Sequence, residues 1–313
     1  MARPAHPVGL SGPVARDARL PFRTHPAALD RSLDVLHDLD ASAMFSLGVV
    51  ALFVLAAGIG PLLEPRDPLA QDLALRLKPP LYVDAASGMH FWLGTDGLGR
   101  DILSRLIEGA RVSLLVGVGG AFLAALLGTT VGLSTGYFGG WYDALMMRIV
   151  DVWQAVPYTI LAIAVAVILG PSLPNVILVL GVSTWVQYAR VVRSETLTQR
   201  HGEVVVAARV IGAGNARILL RHVLPQVSAS IVVLSSLLVG SMILFEASLS
   251  FLGLGVQPPT PSWGNMVLDG VEPIRVAWWV SVFPGLAILL VVMAINVLGD
   301  WLRDRLDPRQ RRV

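Results

Sequence analysis

Long uncharged stretches separated by short polar segments dominate this chain of 313 residues. The first, Ala41–Leu63, holds 23 uncharged residues, enough for a helix to cross about 30 Å of hydrocarbon. The longest, 152–189, exceeds a single crossing, and Pro171 and Pro174 interrupt helical hydrogen bonding near its middle. The later stretches cover 112–142, 152–189, 223–245 and 276–299. This pattern predicts an all-α integral membrane protein with six transmembrane helices.

The polar segments between the spans set the predicted organisation. We expect an N-terminal tail, a first span, a loop, a five-helix core with a polar loop at 194–225, and a C-terminal tail, in the ranges 1–40, 41–63, 64–111, 112–300 and 301–313. In the first loop, Thr95 or Asp96 is a candidate N-cap for a short amphipathic helix. A turn at 137–140 ends the second span, and a loop rich in Pro and Gly at 247–275 places Trp263 at interfacial depth.

Composition agrees with a membrane protein and removes several other classes. Hydrophobic residues make up 54% of the chain and charged residues only 15%, against about a quarter charged in soluble domains. Cysteine is absent, which excludes disulfides and thiolate chemistry. The six histidines show no spacing that suggests a metal site. Arginines are dispersed among the spans, so we expect no nucleic-acid partner.

Arginine distribution predicts which side of the membrane each segment faces. The N-terminal tail, the segment 190–225 and the C-terminal tail carry five, six and five arginines. Such an excess in short segments marks the cytoplasmic side, so both termini are expected there. The first outer loop has six basic residues among its 48, but long loops contribute little to this rule.

The segment 190–225 is predicted to form a cytoplasmic helical hairpin. Val204, Ala207, Ala208 and Ile211 recur at helical spacing and make an apolar stripe of small residues. Gly212, Ala213 and Gly214 end that helix, and Asn215 is a candidate cap for a second helix in which Ile218, Leu219, His222 and Val223 share a face, before Pro225 begins the fifth span. From the pattern alone, a surface for a partner protein and a hairpin packed only on its own subunit are equally acceptable.

Isolated polar residues near the spans have two interpretations each. Asp151 is a candidate functional carboxylate, but a local ion pair with Arg148 is favoured. Pro157 is expected to kink the third span. Glu246, at the outer end of the fifth span, either lines a substrate path or braces the following loop. The charged residues Arg100, Asp101, Arg105 and Glu108 are expected to form a solvated helix face, with docking of a partner protein as the alternative. His222 is expected to make a polar contact beside the hairpin.

The hairpin resembles the signature loop of permeases of binding-protein-dependent ABC importers. Ala207, Ala208, Gly212 and the pair Leu224-Pro225 stand at the spacing of that family's motif. Two positions depart from it: Val206 replaces the family's glutamate and His222 replaces an isoleucine. Glu203, one helical turn before Val206, is an alternative source of the missing carboxylate.

Longer segments resemble the dipeptide, oligopeptide and nickel branch of this family, in particular its second permease type. They read LGTDGLGRDILSRLIEGARVSL, GYFGGWYDALMMRIVD, GPSLPNVIL, EASLSFLGLGVQPPTPSWGNM and FPGLAILLVVMAINVLGDWLRDRLDPR. Together with the spans they extend the resemblance over about 41–309. The resemblance implies a type I ABC importer (MetI-like) permease core with a cytoplasmic coupling helix, in a bacterial or archaeal cytoplasmic membrane.

The resemblance also implies partners and site residues. The expected partners are a second homologous permease, two ATP-binding cassette subunits, a periplasmic or lipoprotein substrate-binding protein and the lipid bilayer. Candidate contacts for the ATPase subunits are Glu203, Val204, Ala207, Ala208, Ile211, Gly212, Ala213, Gly214, Leu224 and Pro225. Glu246 and Pro157 are candidates for the translocation path or an outer gate. The chain has no GxxxxGK[ST] phosphate loop, so ATP and Mg belong to partner subunits, and we expect neither catalysis nor a cofactor or metal in this chain.

The resemblance favours import of dipeptides or oligopeptides delivered by a binding protein. Nickel and glutathione-like substrates, carried by the same machinery, are the first alternative. An ion-coupled secondary transporter is a more remote one, since such proteins tend to show inverted repeats and several intramembrane carboxylates. An intramembrane enzyme would need paired catalytic or metal-binding residues inside the spans, and the spans contain none.

Overall fold

A computed structural model describes residues 40–306, so the predicted tails lie mostly outside the described residues, at 1–39 and 307–313. In the described part, helices predominate, and a two-residue antiparallel pair of strands lies in the first loop. The elements are α1 Ala41–Leu63, a 3₁₀ turn Leu73–Leu75, β1 Tyr82–Val83, β2 His90–Phe91, α2 Ile102–Phe138, α3 Gly140–Ala155, α4 Tyr158–Leu169, α5 Leu173–Gln199, α6 Glu203–Val210, α7 Asn215–Ile218, a π turn Leu219–Val223, α8 Leu224–Phe251, α9 Trp263–Asp269 and α10 Trp279–Leu306.

The membrane-spanning helices agree with the hydrophobic pattern. Within residues 40–306, five helices are long and apolar enough to cross a membrane, and a sixth crossing results if α3 and α4 form one broken span. The break between α3 and α4 bends the chain by 86°. It falls at Val156 and Pro157, because Pro157 has no N–H for a helical bond and its ring crowds the preceding turn. The predicted kink is therefore a sharp bend.

The helix expected in the first loop is instead the start of the second span. Helix α2 begins at Ile102 and continues unbroken for 37 residues. Asp101, not Thr95 or Asp96, is its N-cap, and its carboxylate accepts the backbone N–H of Ser104 at 2.8 Å. Nothing between Ile102 and Phe138 interrupts helical bonding. The amphipathic helix expected in the first loop and the apolar second span are therefore one continuous helix. As predicted, a turn ends it: Gly139 has a φ of 66°, which favours glycine.

Helices α2 and α5 approach closely along a stripe of glycines. Gly128, Gly132 and Gly136 follow one another at intervals of four, the spacing that lets two helix backbones meet in a membrane. A β-carbon on Gly132 would lie 2.8 Å from the carbonyl oxygen of Ala189. A β-carbon on Gly136 would lie 2.6 Å from the β-carbon of Thr196. The absence of a side chain at each of these glycines therefore allows the two helices to lie this close together.

We expect Gly128→Ala to destabilise the protein, because the new methyl group would overlap the carbonyl of Trp185 and force α2 and α5 apart. Overpacking of this kind costs about 1–3 kcal/mol. The matched control is Gly58→Ala in α1, where no atom lies within 4 Å of the added carbon and helix propensity favours alanine. Thermal unfolding in detergent measures both. Equal midpoints for the two variants would contradict the close approach.

The last three spans are longer than their hydrophobic stretches. Helix α5 begins at its Ser172 cap and extends past Ala189 to Gln199, so the arginine-rich segment begins within a helix. Helix α8 extends to Phe251 and contains Glu246, which was expected to end it. Charged side chains at a helix end do not break backbone bonding, and α5 and α8 stop only near glycines.

The loop 247–275 contains a short helix, α9, packed into the core. Trp263 is fully buried at its first position, whereas the sequence suggested interfacial depth. Its indole N–H donates to the carbonyl of Leu106 at 3.0 Å, and Phe53 contacts its ring edge-on at 5.3 Å. This hydrogen bond satisfies the indole N–H, as a buried tryptophan requires. This contact fastens the loop between the last two spans to α1 and α2.

Candidate functional site

The helical hairpin at α6 and α7 packs on the ends of the spans through a small apolar core. Val205 and Ala208 of α6 and Ile218 of α7 are buried. They belong to one cluster with residues of α2, α5, the π turn and α8, namely Leu133, Tyr137, Val192, Val223 and Val227. The hairpin is therefore fixed to three spans rather than suspended between two of them.

The outer face of α6 is apolar and exposed. Of the predicted stripe, Val204, Ala207 and Ile211 face outward, and Ala208 alone is buried. Val210 and Ile211 are 82% and 84% exposed. Exposed apolar surfaces of this kind are typical of interaction sites. Val206 is also on the exposed side, so a glutamate at this position would be accessible to a partner.

The turn of the hairpin has a defined backbone structure. Gly212 has a φ of 82°, the left-handed conformation, and donates its N–H to the carbonyl of Arg209 at 3.1 Å. Ala213 donates to Ala208 at 3.0 Å, which completes a Schellman ending of α6. Gly214 then stands at the N-cap of α7. The predicted break at 212–214 thus has a geometry that only glycine adopts easily at its first position.

Asn215 does not cap α7, contrary to the sequence prediction. Its side chain accepts a hydrogen bond from the hydroxyl of Tyr137 at 3.0 Å. The guanidinium of Arg209 lies over the ring of the same tyrosine, 5.7 Å from its centre. Tyr137 closes α2, so these contacts fasten the tip of the hairpin to the end of a span.

The second half of the hairpin continues directly into the fifth span. Helix α7, the π turn and α8 form one helical segment from Asn215 to Phe251. Pro225 lies in the first turn of α8 and is exposed, and Leu224 is half-buried. Since Pro225 has no N–H for a bond to the preceding turn, the helix widens to a π turn just before it. His222 is half-buried within that turn, and its polar contact stays a prediction.

Two ion pairs connect α3 to the extension of α5. Asp151 accepts from Arg190 at 2.7 Å, so the expected pair with Arg148 is wrong, because α3 lies beside α5 and presents this carboxylate to it. Arg193 binds Asp143 through two nitrogens, at 2.5 and 2.6 Å. Such a bidentate pair fixes orientation as well as distance. Helix α3 is thereby tied to the helix that leads into the hairpin.

The charged residues at the start of α2 are buried, which corrects the expected solvated face. Arg100 and Arg105 both bind the carboxylate of Asp96, and Arg100 does so at 2.7 Å. Each also reaches Asp269 of α9 at 3.1 Å. The side chains of Asp96, Arg105 and Arg100 are 0%, 3% and 8% exposed. This charge cluster joins the first loop to α9 because each arginine has more donors than one carboxylate can accept.

Glu246 is completely buried inside α8 and does not line an open path in this structure. Its carboxyl oxygens accept hydrogen bonds from Ser250 at 2.7 Å and from Ser113 of α2 at 3.2 Å. Ser262, the N-cap of α9, reaches Ser250 at 3.3 Å. The carboxyl group therefore links α8, α2 and the loop before α9, which favours the interpretation as a brace.

We expect Glu246→Ala to lower the thermal midpoint of unfolding. It removes the acceptor of two buried hydroxyls, and each buried polar group left unpaired costs about 1–3 kcal/mol. Glu246→Gln keeps an acceptor and is expected to lose less. The control is Ser248→Ala, two residues along the same helix, which removes only a bond to the backbone of Leu244. A Glu246→Ala protein as stable as that control would exclude the brace.

Chemistry beyond these contacts is not visible in the described residues. No group of three or more His, Asp or Glu residues within 40–306 is placed to hold a metal ion.

Outside the membrane, partial burial and the nearby carboxylate of Glu108 raise the pKa of Glu64. The sequence singled out Asp96 only as a candidate N-cap, and it did not single out Asp269 or the glycine stripe. Residues of separate loops that meet only in the folded protein leave no local signal in the sequence. The spacing of four residues between the glycines is a local signal that could have predicted the close approach of helices.

Comparisons with known proteins agree with this architecture. A chain of the MetNI methionine ABC transporter, in an inward facing conformation, superposes with a TM-score of 0.51 at 20% identity, over 65% of this chain and 96% of that one; this likeness concerns the fold. The dipeptide transport system permease protein DppC of Alkalihalophilus pseudofirmus is 42% identical over 86% of each chain. The di/tripeptide transport system permease protein DppC of Pseudomonas aeruginosa is 42% identical over 85% of this chain and 88% of that one.

A further relative and two family profiles complete the comparison. The glutathione transport system permease protein GsiD of Escherichia coli O157:H7 is 48% identical over 71% of this chain and 73% of that one. The profile described as the N-terminal TM domain of oligopeptide transport permease C matches residues 40–80. Residues 128–312, which include the hairpin, match the profile of the binding-protein-dependent transport system inner membrane component. The chain, a multi-pass membrane protein, belongs to this family of ABC importer permeases.

Proposed function

We propose that this chain is the permease subunit of an ATP-driven importer that carries dipeptides across the membrane. The observation that carries the proposal is the hairpin, which is fixed to three spans on one side and exposes an apolar face on the other. A rigid, uncovered apolar surface outside the membrane needs a partner protein. In an importer of this family that partner is a subunit that hydrolyses ATP.

The proposed mechanism transmits movement through this hairpin. Two ATP-binding subunits close on nucleotide, and one of them pushes α6 through Val204, Ala207 and Ile211. The Schellman turn at Gly212 and the bonds of Tyr137 keep the hairpin from yielding. Since α7 is continuous with α8, the displacement reaches the fifth span directly. The chain itself performs no covalent chemistry in this scheme.

The proposed assembly contains one copy of a second permease and an extracytoplasmic binding protein. The hairpin and both termini face the cytoplasm, in agreement with the arginine distribution. The docking surface comprises Glu203, Val204, Ala207 and Ile211, with Gly212, Ala213 and Gly214 in the turn. Ala208 supports it from within, and Leu224 and Pro225 form the first turn of the helix that leads from the hairpin into the fifth span. Glu203 is exposed and forms no ion pair among the described residues, so it is free to supply the carboxylate missing at Val206.

Dipeptides are the favoured substrate because the relatives named for dipeptide and di/tripeptide transport match a longer part of the chain than the relative named for glutathione transport. Glutathione is the second candidate, since a relative named for its transport is 48% identical over a shorter region. The test is uptake into proteoliposomes that contain the whole complex and ATP, with labelled dipeptide, glutathione and nickel offered in turn. ATP-dependent accumulation of dipeptide supports the proposal. Accumulation of glutathione or nickel alone would replace its substrate, and no ATP dependence would refute the importer.

A further inference from the structure

A cavity of about 780 Å³ opens at the end of the helical bundle that carries the hairpin. Its walls come from the last turns of α5, the first half of α8 and the last turns of α10. Along α8, lining residues recur at intervals of three and four from Gln226 to Leu237, so one helix face forms a wall about 16 Å long. A volume of this size accommodates a small organic molecule.

The cavity changes from polar to apolar along its length. Toward the hairpin it is lined by Thr198, Gln199 and Gln226, whose side chains offer hydroxyl and amide groups. Deeper in the bundle the wall consists of Val233 and Leu237. Lipid tails would fill the polar half unfavourably, because they would displace water from the hydroxyl and amide groups and offer no hydrogen bonds in return. The lining suits a ligand with both polar and apolar parts.

One acidic and one basic side chain line this cavity without pairing with each other. Glu195 accepts a hydrogen bond from the hydroxyl of Ser230. Arg303 is exposed, and among the ion pairs of residues 40–306 none joins it to Glu195 or to another carboxylate. Ionisable residues of membrane-spanning helices that face a cavity of the bundle are candidates for substrate paths. A negative and a positive side chain held apart in one cavity complement a ligand that carries one positive and one negative group.

We propose that this cavity is the inner part of the substrate path and that Glu195 and Arg303 bind the ammonium and the carboxylate groups of a zwitterionic peptide. The inference rests on the proposed function, which supplies a peptide that enters the bundle. An anionic lipid headgroup would complement Arg303 but would be repelled by Glu195. A purely apolar helix of a second permease would leave the hydroxyl and amide groups of the polar half without partners.

The test uses the complete complex in proteoliposomes and counts labelled dipeptide molecules imported per ATP hydrolysed. Glu195→Gln removes the negative charge at unchanged side-chain length, and Arg303→Gln removes the positive charge and leaves a shorter polar side chain. Losing a charged partner of the peptide is expected to lower this ratio about tenfold, while ATP hydrolysis stimulated by the binding protein stays within about twofold. The matched control is Asp304→Asn, next to Arg303 on α10 but outside the cavity, which should leave the ratio unchanged.

Several outcomes would overturn the proposal. Unchanged import per ATP in both variants would mean that the cavity is not on the path. Failure of either variant to retain the second permease would identify a subunit interface. A loss in Arg303→Gln alone that disappears in vesicles without anionic lipid would identify a lipid site. By contrast, a wild-type complex that hydrolyses ATP but imports no peptide would refute the proposed function and not the cavity alone.

A labelling experiment gives an independent measurement. The chain contains no cysteine, so Ser194→Cys in the cavity wall and Ser228→Cys on α8 outside it each carry the only thiol of this subunit. During ATP-driven uptake, dipeptide should slow methanethiosulfonate labelling at position 194 several-fold and leave position 228 unaffected. Equal effects at both positions, or none at either, would contradict peptide occupancy.

Discussion

Ala207→Arg is expected to abolish co-purification of the ATPase subunits with this permease and, with it, ATP-dependent uptake. Ala207 is exposed on α6 between Val204 and Ile211, so arginine there leaves the fold intact but places a charge in the proposed contact. Burying that charge without a partner costs several kcal/mol, which corresponds to at least a hundredfold weaker binding, at about 1.4 kcal/mol per tenfold. The ratio of ATPase to permease after affinity purification measures the effect.

The control for this variant is Ala85→Arg, an exposed alanine in the turn of the first loop, which should keep the wild-type ratio. Ala208→Arg is less informative, because Ala208 is buried against the spans and its replacement would disrupt the hairpin in either case. If Ala207→Arg retained the ATPase subunits, the hairpin would pack only on its own subunit, and the docking surface would have to be elsewhere.

Asp96→Asn is expected to cause the largest loss of folding stability. Asp96 is fully buried and neutralises Arg100 and Arg105, which are buried as well. Asparagine leaves them with only the partly exposed carboxylate of Asp269. Removing one partner of a buried ion pair costs about 3–5 kcal/mol, because the remaining charge stays without solvation. Thermal unfolding in detergent, with and without the change, measures the loss.

Asp67→Asn is the matched control, since it removes one charge from the same loop at an exposed site and keeps the bond to the N–H of Leu69. The double variant Asp96→Asn with Arg105→Met should be more stable than the sum of its single changes, because the unpaired charge is also removed. Additive losses, or an Asp96→Asn protein that unfolds like the control, would show that the cluster does not act through charge pairing.

The spans and the family could be predicted from sequence because their signals are local. A helix that crosses a membrane needs about 20 consecutive, predominantly apolar residues, and the uncharged run Ala41–Leu63 coincides with α1 for that reason. Helix ends were less accurate. Apolar runs report where hydrocarbon begins, whereas α5 and α8 continue into water as long as backbone bonding is unbroken.

The contacts between loops and helices could not be predicted in the same way. The pairing of Asp151 with Arg190 and of Arg105 with Asp269 depends on how separate helices pack. Sequence proximity favoured Arg148 for the first and solvent for the second. For the hairpin, the apolar periodicity placed α6 correctly, but only packing decides that Ala208 faces inward while Ala207 faces outward. Which of the docking residues meet an ATPase subunit stays a prediction.

The continuity of α7, the π turn and α8 limits how this protein can change in length. Over 37 residues and about 55 Å, a single helix connects the hairpin to the serines around Glu246. Each inserted or deleted residue would rotate everything beyond it by about 100°. Glu246 would then leave Ser113, or the hairpin would turn its apolar face away from its partner. The segment therefore fixes both the distance and the relative rotation between the hairpin and Glu246. Natural variation should enter it as substitutions rather than insertions.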